Sequence, residues 1–269
     1  MQKRYGEESD FILNGNKSED AVRAWTEKLF HENGTKNFKI PKEVYEWFLE
    51  VVFCAYGKAE TDQIKRMILV KIIHTREVMM AGIDITSFEK GIDWNGYQVE
   101  TVCLLHDIGR FDQALLGSFS DIKTGFDHAL MGSEMVKNHE FMELEAVGMN
   151  KESVVESVRH HSAFSYQGKD VYAKLTRDAD KLALLRIMPE ILAVKVEEYP
   201  NKGVTEEALR AYKAGTLVRN EDINTKADLL LAWLGWESDF NFSKTESCFV
   251  SEGIKEWMTG ELALLGVMI

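Results

Sequence analysis

Residues 104–110 read Leu104-Leu105-His106-Asp107-Ile108-Gly109-Arg110. His106 and Asp107 follow an apolar run and precede Ile108, so two strongly polar side chains occupy a segment expected to be buried. A charge in an apolar interior needs a partner. Neighbouring helical residues project about 100° apart, so both can reach one ion only if it lies in the angle between them, against another helix. The segment therefore predicts a buried polar site where helices meet.

The remainder of the chain is typical of an all-α protein. Proline occurs only at positions 41, 189 and 200, and apolar residues recur with helical spacing over long segments. Segments expected to be loops, which could rim a pocket, are 91–96, 109–125 and 163–170. Helices are expected at 41–57, 60–82, 97–108, 127–138, 151–162 and 171–188, and the pattern after Pro200 is still helical, with Trp233, Trp236, Phe249 and Trp257 as packing anchors.

Length and charge restrict the domain organisation and the partners. The 269 residues, 45% of them hydrophobic, are enough for one substantial core. We favour a single domain over 1–269, with a core motif region at 60–190 and a helical extension at 191–269 that shapes the pocket or a subunit contact. The net charge of −12 argues against a nucleic acid polymer as partner. A small anionic substrate stays compatible, because a bound cation can invert the local potential.

The sequence also suggests a cytoplasmic protein. Cys54, Cys103 and Cys248 lie far apart without metal-type spacing, which is typical of thiols in a reducing compartment. The basic residues near the start have no apolar stretch behind them, and the apolar tail at 262–269 is shorter than the ~20 residues that span a bilayer. We expect no membrane association, and a homo-oligomer stays open.

Histidines and carboxylates in apolar helical runs are the main chemical signal. His74 and His161 continue apolar stripes, and either Asp178 or Asp180 lies within the apolar run 175–184. A single histidine on such a face is more often a hydrogen-bonded core residue than a ligand. Several of them together with carboxylates indicate a metal site. Imidazole and carboxylate without thiolate suit manganese, iron, cobalt, nickel or zinc, and do not choose among them.

An ordered set of short motifs extends over residues 69–184. It consists of His74 with Arg76, the 104–110 segment, His128-Ala129 with Gly132, the pair His160-His161, and Ala179-Asp180-Lys181. In this order the motifs resemble the HD-domain superfamily of metal-dependent phosphohydrolases. The resemblance implies a compact helical bundle with extra N- and C-terminal helices.

The resemblance also implies a set of metal ligands for one or two ions per chain. A first ion would be held by His74, His106, Asp107 and Asp180, with Asp178 as the rival for the last place. A second ion would be held by His128, His160 and His161, with Asp107 bridging. Two alternatives stay open: His128 as an exposed helix-start residue beside Asp127, and one member of the His160-His161 pair as a phosphate contact or an outer partner of a ligand.

The expected activity is hydrolysis of a nucleotide or another small phosphorylated metabolite by a metal-activated water. A divalent cation lowers the pKa of bound water from 15.7 toward ~7. We expect Asp107 and Lys181 to be catalytic. We expect Arg110 and Lys181 to contact phosphate, since both are close in sequence to an expected ligand. For Arg110 and Lys181, the alternative is a solvated charge at the surface. Two other functions are compatible with the same scaffold, a di-iron oxygenase and a non-enzymatic nucleotide-sensing protein.

Overall fold

The computed structural model describes residues 11, 17–31, 38–195, 199–201 and 203–269. These residues form helices joined by loops, without a strand among them, so the predicted all-α class is confirmed. The helices are α1 (Glu19–His31), α2 (Lys42–Lys58), α3 (Asp62–Phe88), α4 (Gly96–Leu105), α5 (Gly109–Ala114), α6 (Asp121–Thr124), α7 (His128–Asn138), α8 (Lys151–His160), α9 (Val171–Lys195), α10 (Glu206–Lys213), α11 (Lys226–Gly235), α12 (Ser243–Ser251) and α13 (Ile254–Leu264).

Helix α3 extends past Gly82, the residue at which the sequence pattern ends the expected helix. The helix begins after Thr61, whose side chain accepts a hydrogen bond from the Ile64 N–H, and it continues to Phe88. Gly82 lies inside it, where a Cβ atom would contact the Cys103 Sγ of α4. Gly82 therefore permits close packing of α3 on α4, and the expected end at this residue is wrong.

The expected helix over 97–108 and the loop over 109–125 are also wrong in their boundaries. Helix α4 ends at Leu105, the chain turns over residues 106–108, and α5 begins at Gly109. A Cβ atom on Gly109 would clash with the His128 carbonyl oxygen and lie 2.9 Å from the Gly132 N atom. Glycine is needed here so that the backbones of α5 and α7 can approach. This approach brings the turn after α4 close to the start of α7.

Side-chain caps fix where α7 and α8 begin. Asp127 accepts a hydrogen bond from the Leu130 N–H at 2.8 Å, and Asn150 accepts one from the Ser153 N–H at 3.0 Å. Both are ordinary N-cap contacts, which satisfy N–H groups that lack partners within the helix. Helix α8 ends at His160, before the expected end at 162, and α9 continues to Lys195, past the expected end at 188.

The described residues form two compact units. The first comprises the described residues within 1–163 and 168–180, and the second comprises those within 164–167 and 181–269. Phe48, Leu105 and Phe111 are buried in the first unit, and Trp233 and Phe249 are buried in the second. The assignment of 1–269 to a single domain stays a prediction, because compactness of each unit does not show that it folds independently. No helix within the described ranges has the length and apolar character needed to cross a bilayer.

Candidate metal centre

Six of the expected ligands converge in the first unit, supplied by helices and by the turns that follow them. His74 comes from α3, His128 is the first residue of α7 and Asp180 lies in α9. His106 and Asp107 lie in the turn after α4, and His161 directly follows α8. All are buried except Asp180, whose side chain is 22% exposed.

The first group of ligands contains His74, His106 and Asp180. The Nε2 atom of His74 lies 3.3 Å from the Nε2 atom of His106 and 2.9 Å from the Oδ1 atom of Asp180. The His106 Nε2 atom lies 3.9 Å from the same oxygen. Asp107 adds its Oδ2 atom, at 3.7 Å from the His74 Nε2 atom and 3.5 Å from the His106 Nε2 atom.

The second group contains Asp107, His128 and His161. The Oδ1 atom of Asp107 lies 3.1 Å from the His161 Nε2 atom and 3.5 Å from the His128 Nε2 atom. The two Nε2 atoms are 3.1 Å apart. Asp107 thus directs one carboxylate oxygen toward each group, which is the arrangement of a bridging ligand.

The spacing within both groups fits a transition-metal ion. Metal–ligand bonds of about 2.0–2.2 Å place adjacent ligand atoms roughly 3.0–3.5 Å apart. The atoms of the second group are 3.1–3.5 Å apart, and those of the first are 2.9–3.9 Å apart. Each group has the dimensions of a coordination sphere.

The Nδ1 atoms of three histidines have hydrogen-bond acceptors, which leaves their Nε2 atoms available to bind a cation. The Nδ1 atoms of His106 and His161 donate to the carbonyl oxygens of Cys103 and Val158, at 2.7 Å and 2.8 Å. The His128 Nδ1 atom donates to the Asp121 carboxylate at 2.8 Å. A neutral imidazole with its proton on Nδ1 has only a lone pair on Nε2. In the second group three acceptors therefore face one another, and a cation satisfies them all.

One comparison with known proteins supports this assignment. Residues 72–185 match the family model described as HD domain. This part of the chain is therefore similar to an HD domain. A search of curated proteins and a search of solved structures found no significant match. The matched range includes every residue of both ligand groups, and the resemblance inferred from the motifs is confirmed.

Burial and nearby charges shift the pKa values of the candidate ligands in opposite directions. Burial and the nearby Lys71 charge lower the pKa of His74 to about 4. Burial also lowers the pKa of His128 to about 4, although the Asp121 contact opposes it. Burial alone would lower the pKa of His106, but the Asp107 carboxylate outweighs it and the pKa is raised. Lys71 and His106 hold the pKa of Asp107 well below its usual range against the effect of burial.

Two expected or rival ligands lie outside both groups. His160 is the last residue of α8, and its Nε2 atom lies 3.5 Å from the Glu156 carboxylate, with both side chains partly exposed. Its neighbour His161 belongs to the second group instead. Asp178 is fully buried two residues before Asp180, but only Asp180 belongs to the first group. One ring of the double histidine thus belongs to a candidate group, and the role of the other stays a prediction.

Arg110 and Lys181, the two residues expected to contact phosphate, form hydrogen bonds to other groups of the protein. The Arg110 Nη1 atom donates to the Gln113 Oε1 atom and the Phe119 carbonyl oxygen, both at 2.5 Å, while its Nε atom lies 3.5 Å from the Asp107 Oδ1 atom. In the second unit, the Lys181 Nζ atom contacts the Asp239 carboxylate and donates to the Asp239 carbonyl oxygen at 3.2 Å.

Lys71 also lies at the centre, although the sequence motifs did not indicate it. The Lys71 Nζ atom donates to the Asp107 Oδ2 atom at 2.5 Å, and it lies 5.3 Å from the centre of the Phe119 ring. A signal was present, because Lys71 precedes His74 by three residues on one helix, and residues so spaced share a face.

Proposed function

We propose that this protein is a metal-dependent phosphohydrolase that acts on a nucleotide or another small phosphorylated metabolite. The observation that carries the proposal is the convergence of both ligand groups on the two oxygens of Asp107. The HD domain adds support, because members of this family are generally metal-dependent phosphohydrolases. We assign one or two divalent ions of manganese, iron, cobalt, nickel or zinc to these groups.

The residues of the candidate metal centre would have the following roles. When bound, a divalent cation lowers the pKa of water and polarises a phosphoryl oxygen. Asp107 would be a ligand in both sites. His74, His106 and Asp180 would complete the first site, and His128 and His161 the second. The outer hydrogen bonds of His106 and His161 keep their Nε2 atoms directed inward.

Lys71 is the cation best placed to meet negative charge on the substrate. Its ammonium group already contacts Asp107, and its side chain is 15% exposed. A phosphoryl group bound beside Asp107 would come within its reach, and donors that are held in place stabilise charge that develops in the transition state. Phosphate binding by Arg110 and Lys181 stays a prediction.

Phosphate release from a panel of phosphorylated metabolites tests the function. The metal-loaded protein should release inorganic phosphate or a phosphate monoester, with the new P–O oxygen derived from water. EDTA should stop turnover, and added manganese, cobalt or nickel should restore it. Asp107→Ala should be inactive, whereas Glu134→Ala, at a partly exposed position of α7, should retain full activity. Metal-loaded protein that hydrolyses no member of a broad panel would contradict the proposal.

A di-iron oxygenase is the second candidate, and the bridging position of Asp107 is the observation that favours it. A site with two ions is compatible with both candidates, but the two reactions differ in the co-substrate. Turnover that requires dissolved oxygen and releases no phosphate from any phosphorylated compound would select the oxygenase.

A further inference from the structure

We propose that Asp121 is a positioning residue that determines whether the second ion binds. Its carboxylate lies at the outer edge of the second ligand group, with the His128 Nδ1 atom 2.8 Å from Oδ2 and 3.0 Å from Oδ1. Burial would raise the pKa of Asp121, but the His128 hydrogen bond outweighs it and the pKa is lowered. The proposal rests on metal binding by these groups and is independent of the reaction that follows.

Asp121 lies on a short, partly exposed helix, yet its carboxylate is fixed from two sides. The buried Gln113 donates from Nε2 to the Asp121 Oδ1 atom at 2.7 Å, and Arg110 donates from Nη1 to the same oxygen at 3.0 Å. Gln113 also donates to the Phe126 carbonyl oxygen at 3.0 Å, while Arg110 binds the Phe119 carbonyl oxygen. The same two side chains therefore hold both the carboxylate and the chain around it.

This contact differs in kind from those of the other histidines. His106 and His161 donate to carbonyl oxygens three residues earlier in the chain, so their rings are oriented by the local backbone. The orientation of His128 depends on a side chain from a different helix. Since a neutral histidine can carry its proton on either nitrogen, loss of Asp121 removes the acceptor that keeps the Nε2 lone pair directed at the ion. His74, His106 and Asp180, the first group, make no such contact with Asp121.

The structure thus predicts an asymmetric effect on the two ions. Partners that orient a ligand typically contribute 10–100-fold to metal affinity. We expect Asp121→Ala to weaken the second ion by about 10–100-fold and to leave the first ion unchanged. Asp121→Asn keeps an oxygen that can accept the Nδ1–H group but loses the charge, so its effect should be smaller.

Manganese titration of the full-length protein, with the bound metal measured by elemental analysis, tests the proposal. The matched control is Asp112→Ala, which removes an exposed aspartate of α5. Wild type and the control should bind two ions per chain, whereas Asp121→Ala should bind one at the same free manganese. If Asp121→Ala fails to fold, as judged by circular dichroism, Asp121→Asn must still weaken the second ion selectively.

Three results would overturn the proposal: a single ion in saturated wild type, unchanged second-ion affinity in folded Asp121→Ala or in Asp121→Asn, or equal weakening of both ions. None of these results bears on hydrolysis. Failure of the proposed function would appear instead as absence of phosphate release from wild type that carries its full complement of metal.

Discussion

The two oxygens of the Asp107 carboxylate connect the two candidate ligand groups. Asp107 Oδ2 lies near His74 and His106, and Asp107 Oδ1 lies near His128 and His161. Asp180, in contrast, is close only to the histidines of the first group. Two aspartates of the same centre should therefore respond differently to substitution.

We expect Asp107→Ala to lose both ions and Asp180→Ala to lose only the first. Removal of the shared ligand leaves each group with histidine neighbours but without the carboxylate between them, and the net charge available to hold dications falls. Metal content after extensive dialysis, measured with circular dichroism as the check on folding, distinguishes the two variants. A folded Asp107→Ala protein that retained a full complement of metal would show that this carboxylate is not a ligand.

A second prediction at the level of single residues concerns Lys71. Lys71→Ala should reduce kcat/KM for anionic substrates by about 10²–10³-fold, the usual effect of removing one donor to developing charge. Metal content should stay unchanged, which separates this role from metal binding. Lys137→Ala is the control, because the Lys137 side chain is 62% exposed. A wild-type kcat/KM in Lys71→Ala, or loss of metal from this variant, would contradict a role of Lys71 in binding substrate charge.

At the scale of elements, the contact of α5 with α7 places Asp107 next to His128. Gly109 and Gly132 face each other there, and a Cβ atom on Gly132 would lie 3.1 Å from the Gly109 N atom. The close approach needs both glycines. Any added volume must push the two backbones apart, and with them two ligands of the second group.

Gly109→Ala should therefore destabilise the protein by about 1–3 kcal/mol, the usual cost of overpacking, and weaken the second ion. Gly260→Ala is the matched control, since Gly260 lies in α13 with no atom within 4 Å of its added Cβ. It should be neutral or stabilising by up to about 1 kcal/mol, because alanine has the higher helix propensity. Chemical denaturation of both variants checks the difference, and equal stabilities would contradict it.

These glycines also show how far the sequence could predict the molecule. Apolar spacing located the main helices, and motif order located the side chains that form the two candidate groups, because both signals are local. Gly82 and Gly109 look like breaks in a helix, and only their contacts with Cys103 and His128 reveal that they permit close packing. Asp121 could not be found from sequence, since its contact with His128 depends on how the residues between α5 and α7 fold back.

At the scale of the whole molecule, the ligands come from helices far apart in the chain, so metal binding is coupled to folding. The first unit brings together residues from His74 to Asp180, and without an ion several acceptor atoms face one another in a buried space. An ion that binds the folded but not the unfolded chain stabilises the fold by about 2.7 kcal/mol at 100 times its Kd.

EDTA treatment should therefore lower the melting temperature, and the metal should restore it. For a domain of 150–250 residues, a loss of 1 kcal/mol in the free energy of unfolding lowers the melting temperature by roughly 2–4 °C. Removal of metal present at 100 times its Kd should therefore lower the melting temperature by about 5–10 °C. Asp107→Ala should melt at the same temperature with and without metal, because it lacks the ligand that both groups share. Differential scanning calorimetry at several metal concentrations makes the measurement. A melting temperature of wild type that is independent of metal would show that the six side chains are satisfied without an ion, and would remove the basis for metal-dependent hydrolysis.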